Sequence, residues 1–169
     1  MRLGRDFFAR DALEVAPALV GKTLVRALPD GGQRRLVISE TEAYCGEEDT
    51  ACHAHRGRTK RTEMLYMAGG CFYIYLCYGI HWLLNTVTGP RDAPQGVLIR
   101  ACRGFEGPGK LTKQLEITGA LNGADIGSCH ELWIEDEGRD VRIVTAPRVG
   151  IAYASPEDQA RQWRFMEGK

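Results

Sequence analysis

The segment RRLVISETEAY, residues 34–44, alternates like a β-strand but carries two carboxylates within its apolar series. Residues of one parity share one face of an extended chain. On this strand the members of that face are Leu36, Ile38, Glu40, Glu42 and Tyr44. A carboxylate is costly to bury alone, so the acidic part of the face either leaves the core, lies at a sheet edge, or pairs with a base.

Two β-hairpins are predicted around this strand. The first joins KTLVRAL, residues 22–28, to residues 34–44 through the turn PDGGQ. The second is CFYIYLCYGIHWLLNTVT, residues 71–88, which alternates strongly and contains a turn near Tyr78. A short buried strand within GVLIRA follows the second hairpin and ends in Arg100.

Three helices and a further strand pair complete the expected fold. Asp11 and Glu14 have capping-box spacing before the apolar stretch ALEVAPALVG. Pro108 suits the first turn of a helix GKLTKQLEI, and Ser155 opens a last helix. The segments ELWIED and RDVRIVTA are expected to pair as strands. We therefore expect residues 1–169 to form one α+β domain with a curved, mostly antiparallel sheet.

The charge is balanced overall but unevenly distributed. The chain has 22 basic and 22 acidic residues, yet residues 51–110 hold 8 basic and 3 acidic side chains. The densest part is the basic loop, HRGRTKRT, with Arg56, Arg58, Lys60 and Arg61. Such a band suits a polyanion, although charge alone favours a merely solvated loop.

Composition and cysteine placement exclude several classes of protein. No apolar run is long enough to span a bilayer and the start lacks a signal-peptide core, so we expect a cytoplasmic protein. The six cysteines form no Cys-x-x-Cys pair. The nearest metal-like cluster, Cys52-His53-x-His55, lacks a second ligand pair. We expect reduced, scattered thiols and no metal or other cofactor.

Spacing alone allows three interpretations of Glu42 and Arg100. They form a structural ion pair, or Glu40 and Glu42 lie in water at a sheet edge, or the carboxylate is catalytic. The first two are favoured before other residues are considered. Tyr78 shifts the balance, because a ring at a hairpin tip beside positive charge can act as a wedge in a duplex. Neighbouring tyrosines could stack a displaced base.

The chain resembles the alkyladenine (3-methyladenine) DNA glycosylase family over nearly its whole length, residues 5–166. The similarity lies, in order, in ETEAYCGEEDTACH, GRTKRTEMLYMAGG, CFYIYLCYGIHWLLN, GVLIRA, GPGKL and PRVGI. ETEAY together with the downstream Y-x-x-Y-G-x-H segment is a specific combination. The resemblance implies a single mixed α/β domain with a β-hairpin that protrudes into DNA.

The resemblance also implies roles for individual residues. Glu42 matches the general base that activates a water, and Arg100 matches the arginine that helps to hold that water and the carboxylate. Tyr44, His53 and Tyr75 match the walls between which a flipped base stacks. These five residues would form the catalytic pair and most of the base pocket.

Further matches concern specificity and DNA contact. Asn85 matches the asparagine that crowds the exocyclic amine of guanine, and Tyr78 matches the side chain that enters the minor groove. Lys110 and the basic loop are candidate phosphate contacts. One departure is a short connection: only CRGFE separates LIRA from GPGKL, where the family has a longer segment that could add DNA-facing surface.

The implied function is repair of double-stranded DNA. The enzyme would flip alkylated or deaminated purines, 3-methyladenine and 7-methylguanine first and hypoxanthine or ethenoadenine as further candidates, and hydrolyse the N-glycosidic bond to an abasic site. The scheme uses no lysine Schiff base, so a monofunctional, monomeric enzyme without protein partners is expected, nucleoid-associated in a bacterium. Alternatives are a catalytically weak damage-binding module, a nucleoside hydrolase, and an accessory domain of the formyltransferase C-terminal type.

Overall fold

The computed structural model describes residues 1–169 as an α+β fold of nine strands and four helices. The helices are α1 Arg5–Phe8, α2 Ala12–Leu19, α3 Pro108–Gln114 and α4 Pro156–Ala160. The strands are β1 Thr23–Ala27, β2 Gln33–Tyr44, β3 Phe72–Cys77, β4 His81–Thr88, β5 Gln95–Cys102, β6 Phe105–Glu106, β7 Leu132–Glu135, β8 Ile143–Ala146 and β9 Arg164–Glu167. The fold class expected from the sequence is confirmed.

All nine strands join one antiparallel sheet. Its main path runs β3-β4-β5-β2-β1-β7, with β6 added to β5 and β8 attached through β9. β2 is the central strand, because its first half pairs with β1 and its second half lies between β5 and β9. The largest apolar core joins one face of the sheet to α2 and α3, and includes Leu19, Leu84, Ile99 and Leu111.

β2 contains an irregularity that changes which residues face this core. Its pairing with β5 shifts twice between Ile38 and Thr41. Before the shift the even-numbered Ile38 is buried in the core, and after it the odd-numbered Ala43 takes that position. A bulge bends a strand and re-aims its side chains in this way. The single continuous face expected along residues 36–44 is therefore wrong, and Glu42 points away from the core.

α2 is held on the second half of β2 by a buried hydrogen bond. Asp11 caps the first turn of the helix with its side chain, as the sequence predicts. Near the other end, the N–H of Val20 bonds the oxygen of Pro17 rather than that of Ala16. The Ala16 oxygen instead accepts from Thr41 Oγ1 at 2.7 Å. This bond ties the helix to β2 directly after the irregularity.

Two strand assignments differ from the expectation. Leu132–Glu135 pairs with β1 and Ile143–Ala146 pairs with β9, so the predicted pairing of these two segments with each other is wrong. The sequence does not predict β9, because four residues give too little alternation to recognise. β9 matters because it pairs with Glu40, Thr41 and Glu42 of the central strand.

The connection between β2 and β3 covers the sheet face that α2 leaves free. It supplies most of a second apolar cluster, with Cys52, Ala54, Leu65 and Tyr66 packed on strand residues such as Val87. At the other end of the molecule β5 turns directly into β6, which is where the short CRGFE segment lies. No helix has the length and apolar character needed to cross a membrane.

Thr41→Val tests the link between α2 and β2. The two side chains have the same shape, but valine leaves the buried Ala16 oxygen without its donor. We expect the free energy of unfolding to fall by about 1–3 kcal/mol, measured by urea denaturation. Ser39→Ala, in the same strand, is the control and should change stability by less than about 0.5 kcal/mol. A Thr41→Val protein as stable as the wild type would contradict the assignment.

Candidate active site

One row of directly opposed residues crosses five strands and forms the floor of the candidate site. From β9 to β3, the row is Arg164, Glu42, Leu98, Asn85 and Tyr73. Cross-strand partners project to the same face of a sheet. A carboxylate, an amide and a phenol from distant parts of the sequence therefore meet on one face. The irregularity in β2 is what brings Glu42 into this row.

A cavity of about 380 Å³, including space open to solvent, lies on this face. Its walls are rings and small side chains, namely Tyr44, Ala51, Cys52, His53, Leu65, Tyr73, Tyr75, Asn85, Gly96 and Tyr153. A Cβ on Gly96 would meet Leu65 Cδ2 at 3.2 Å, so the absence of a side chain there keeps the floor clear. The four residues that the sequence predicts for a base pocket, Tyr44, His53, Tyr75 and Asn85, all line this cavity.

The walls of this ring-lined cavity are fixed by contacts among themselves. The His53 ring meets Tyr75 edge-on with centroids 4.5 Å apart, and its Nδ1 lies 3.1 Å from the Tyr73 hydroxyl. Asn85 Nδ2 donates to the backbone oxygen of Tyr73 at 3.1 Å. The guanidinium of Arg61, from the basic loop, lies 5.2 Å from the centre of the Tyr75 ring. These contacts fix the positions of the rings around the cavity.

Glu42 is fully buried behind this cavity and does not line it. Its Oε1 accepts from the Tyr44 hydroxyl at 2.9 Å and its Oε2 accepts from the Val149 N–H at 2.7 Å. Burial raises the pKa of Glu42 above the ordinary value. The Val149 N–H, the charge of Arg100 and the Tyr44 hydroxyl each oppose that rise. Burial and the nearby carboxylate also raise the pKa of Tyr44, which keeps it a donor.

A second, polar cavity of about 370 Å³ adjoins Glu42 through Arg100 and Val149. It is lined by Glu40, Arg100, Glu106, Gly107, Val149 and Arg164. Arg100 Nε lies 3.4 Å from Glu40 Oε1 and 3.9 Å from Glu42 Oε2. The predicted catalytic pair is thus together in the structure, although Arg100 is nearer to Glu40. Glu42 contacts a wall of each cavity.

The β3–β4 hairpin ends in a solvent-exposed tip of Tyr78, Gly79 and Ile80. Tyr78 is 93% exposed and its φ is 52°, a left-handed conformation that a large residue seldom adopts. Ile80 beside it is 72% exposed. Neither side chain contributes to the core, so the tip has no packing function that would explain its apolar character.

The predicted phosphate contacts are all on the surface: Arg56, Arg58, Lys60, Arg61 and Lys110. Two of them already have partners. Arg58 bonds Asp92 at 2.5 Å, and Arg61 lies over the Tyr75 ring. The basic loop therefore borders the ring-lined cavity, and Arg56 and Lys60 form no ion pair within the protein. Lys110 lies apart from them, in the first turn of α3.

The cysteines play no shared role in the site. All six are free thiols, and burial raises the pKa of Cys45, Cys71 and Cys102 to about 12, about 11 and about 12. Thiols held protonated in this way are poor nucleophiles. No group of three or more His, Cys, Asp or Glu side chains is arranged to hold a metal ion.

The family model described as Methylpurine-DNA glycosylase (MPG) matches residues 6–106 and 103–169 of this chain. The chain belongs to the methylpurine-DNA glycosylase family. It is accordingly an enzyme of the DNA N-glycosylase class, as the sequence motifs predict. The two matched segments meet at residues 103–106, where β5 turns into β6, so the break in the match coincides with the short CRGFE connection.

Relatives that carry the provisional name 3-methyladenine DNA glycosylase align with almost the entire chain. A protein from Psychrobacter cryohalolentis is 44% identical over 94% of this chain and 87% of its own length. One from Methanocella arvoryzae is 45% identical over 98% of this chain and 92% of its own length. One from Anaeromyxobacter dehalogenans is 45% identical over 98% and 83%.

Sequence reasoning misses Arg148, which braces the site of this glycosylase. Its guanidinium nitrogens bond the two Asp49 oxygens at 2.6 and 3.0 Å, in a pair that is almost completely buried. The same group lies 4.9 Å from the centres of the Tyr44 and Trp163 rings. Arg148 thereby holds the segment that presents the Val149 N–H to the carboxylate. Arg148 lies in PRVGI, a segment that resembles the family, and this resemblance could have identified it from the sequence.

Tyr153 and Tyr73 are also absent from the predicted site. Tyr153 lines the ring-lined cavity and donates its hydroxyl to the Ala51 oxygen at 2.8 Å, although its side chain is 69% exposed. No motif marks Tyr153. Tyr73 lies two residues before Tyr75 and therefore on the same face of β3, so strand parity was sufficient to identify it.

His53 should remain neutral across the physiological pH range. Burial, together with the charges of Arg61 and Arg56, lowers the pKa of His53 to about 4. We expect the imidazole signals of His53 in NMR spectra to stay unchanged from pH 8 to pH 5, with assignment by comparison to His53→Asn. A titration midpoint near 6.5, the ordinary histidine value, would show that the cavity wall is solvated.

Proposed function

We propose that this glycosylase acts in base-excision repair and removes alkylated or deaminated purines from duplex DNA. Its products would be the free base and an abasic site in an unbroken strand. The observation that carries the proposal is the environment of Glu42. A fully buried carboxylate accepts one hydrogen bond from a wall of the ring-lined cavity and another from the backbone beside the polar cavity.

Hydrolysis of an N-glycosidic bond passes through a state with positive charge on the sugar. The oxygen of a water bonds to C1′ while the C1′–N bond breaks, and the electron pair of that bond leaves with the base. Glu42 accepts the proton of the attacking water and stabilises the charge on the sugar. The Val149 N–H and Arg100 favour the ionised form of Glu42 that this role needs.

The ring-lined cavity would hold the extruded purine between Tyr44, His53 and Tyr75. Methylated bases such as 3-methyladenine and 7-methylguanine are cationic in DNA, and a cation is attracted to the faces of tyrosine rings. A histidine with a pKa of about 4 is neutral and therefore does not repel such a base. Asn85, tied to the Tyr73 oxygen, would crowd the exocyclic amine of guanine.

The hairpin tip and the basic loop would engage the duplex. Tyr78 would fill the gap that the extruded nucleotide leaves, since apolar side chains inserted from the minor groove separate base steps. Arg56 and Lys60 would neutralise phosphates beside the cavity, which makes binding sensitive to salt. The enzyme would act as a monomer, because one chain supplies both the cavity and the tip.

Glu42→Gln separates chemistry from binding. Glutamine keeps the shape of the side chain but cannot accept a proton from water, so we expect single-turnover excision to fall at least about 100-fold. Binding to damaged duplex, measured by fluorescence anisotropy, should change only a few-fold. Glu48→Gln, the same change at an exposed position, is the control and should excise at the wild-type rate.

Four outcomes, two with the variant and two with the unchanged protein, would contradict the proposal. Equal loss of excision and binding would make Glu42 a structural carboxylate. Full excision by the Glu42→Gln protein would remove Glu42 from the mechanism. If the unchanged protein binds damaged duplex but releases no base from a panel of lesions, it is a damage-binding module; if it cleaves free nucleosides better than duplex, it is a nucleoside hydrolase.

Tyr78→Ala tests the wedge. The tip ring has no partner within the protein, so the variant should be as stable as the wild type. We expect binding to a duplex with a paired lesion to weaken about 10-fold or more, because a base–aromatic stack contributes about 1–3 kcal/mol. Binding to a lesion opposite a gap should weaken less. Leu13→Ala, an exposed apolar residue on α2, is the control, and equal losses on both substrates would argue against insertion.

A further inference from the structure

Four charged side chains form a ladder across the central strand. Arg164 Nη1 bonds Glu40 Oε1 at 2.9 Å, Arg100 Nε lies 3.4 Å from the same oxygen, and Arg100 Nε is 3.9 Å from Glu42 Oε2. The order is therefore Arg164, Glu40, Arg100 and Glu42. The first three are partly exposed to the polar cavity, and only Glu42, at the end of the ladder, is fully buried.

The distances in this ladder reveal a competition for one guanidinium. Arg100 lies 0.5 Å nearer to Glu40 than to Glu42 (3.4 against 3.9 Å), and 3.9 Å is too long for a hydrogen bond. Glu40 therefore draws Arg100 away from the buried carboxylate. Arg164 in turn bonds Glu40, which reduces the pull of Glu40 on Arg100.

We infer that Glu40 and Arg164 are positioning residues that set how strongly Arg100 neutralises the Glu42 carboxylate. The inference deepens the proposed function and rests on Glu42 being the general base. A carboxylate in full contact with a guanidinium is a weak base, and one with no cation nearby is protonated when buried. The ladder holds Glu42 between these limits, as a base that is ionised yet able to accept a proton.

The charged and titratable groups around Glu42 support this assignment. From β2 it faces Glu40 and the Tyr44 hydroxyl, from β5 it faces Arg100, and from the loop after β8 it receives the Val149 N–H. β9 contributes Arg164, which is the direct cross-strand partner of Glu42 but bonds Glu40 instead. Glu40 is thus the nearest like charge and Arg100 the nearest opposite charge.

Arg164 has a second contact that links the ladder to the backbone donor. Its Nε donates to the Pro147 oxygen at 2.8 Å, two residues before Val149. One guanidinium therefore holds both Glu40 and the segment that supplies the N–H to Glu42. Loss of Arg164 would free Glu40 to attract Arg100 more strongly and would loosen the backbone donor. Both effects favour protonation of Glu42.

Opposite substitutions in the ladder should move the titration of Glu42 in opposite directions. The midpoint is measured by carbon-13 NMR of labelled glutamate side chains, with the Glu42 signal identified by its loss in Glu42→Gln. Glu40→Gln should lower the midpoint by about one pH unit, because it removes the like charge and releases Arg100. Arg164→Gln should raise it, and Arg164→Lys, which keeps the charge, should shift it less.

The matched control is Glu106→Gln, which removes a carboxylate from the same polar cavity but not from the ladder and should leave the midpoint unchanged. The acid limb of the excision rate against pH should follow the midpoint of each variant. A purely structural role would lower the rate at every pH without moving the limb. Unchanged midpoints, or shifts in the same direction for Glu40→Gln and Arg164→Gln, would overturn the inference.

Glu40→Gln and Arg164→Gln are each informative alone. If one of them does not fold, the direction in which the other shifts the Glu42 midpoint still supports or contradicts the competition for Arg100. Failure of the proposed function looks different. In that case Glu42→Gln would still excise bases while the midpoints shifted as expected. If instead Glu42→Gln were inactive and the midpoints did not move, Glu42 would be the base and the ladder would not tune it.

Discussion

The proposed chemistry depends on keeping the Glu42 carboxylate charged although it is buried away from bulk solvent. Burying an ionised carboxylate without a partner costs so much free energy that the group takes up a proton instead. Two hydrogen-bond donors and one nearby charge offset this cost, and they come from three separate places: a hydroxyl two residues along the same strand, an N–H in the loop after β8, and the positive charge of a guanidinium on β5. The charge is therefore supported only when the strands are paired in their native register. Catalytic geometry and global fold are linked by this requirement.

The irregular register of β2 allows one strand to serve both core and site. Without it, alternation would place Glu42 on the same side as Ile38, inside the apolar core. With it, Thr41 turns to the core side and bonds α2, while Glu42 joins the row that leads to Asn85. The bulge thus removes the conflict between an apolar half-strand and an acidic one.

Local sequence signals predicted the parts of this fold that local chemistry determines. The cap of α2, the two hairpins and the tyrosines of β3 follow from side-chain hydrogen bonding and alternation, and the structure contains them. The bulge, the partner of Leu132–Glu135 and the existence of β9 depend on contacts between distant segments, which periodicity does not encode. The sequence could suggest that Glu42 and Arg100 lie together, because each comes near the end of a predicted strand. It could not predict that Arg100 lies nearer to Glu40 than to Glu42.

The buried pair of Asp49 and Arg148 is better explained by position than by stability. Replacing such pairs with apolar residues is often neutral, so burial of charge alone is weak evidence for a stabilising role. Here Nε of Arg148 is buried without a hydrogen-bond partner, a cost that a purely stabilising contact would avoid. What the arrangement secures is a guanidinium over the Tyr44 ring and a fixed backbone next to Val149. Both donors to Glu42 are then held by one side chain, so the carboxylate that we propose as the general base is already held in place in the protein alone.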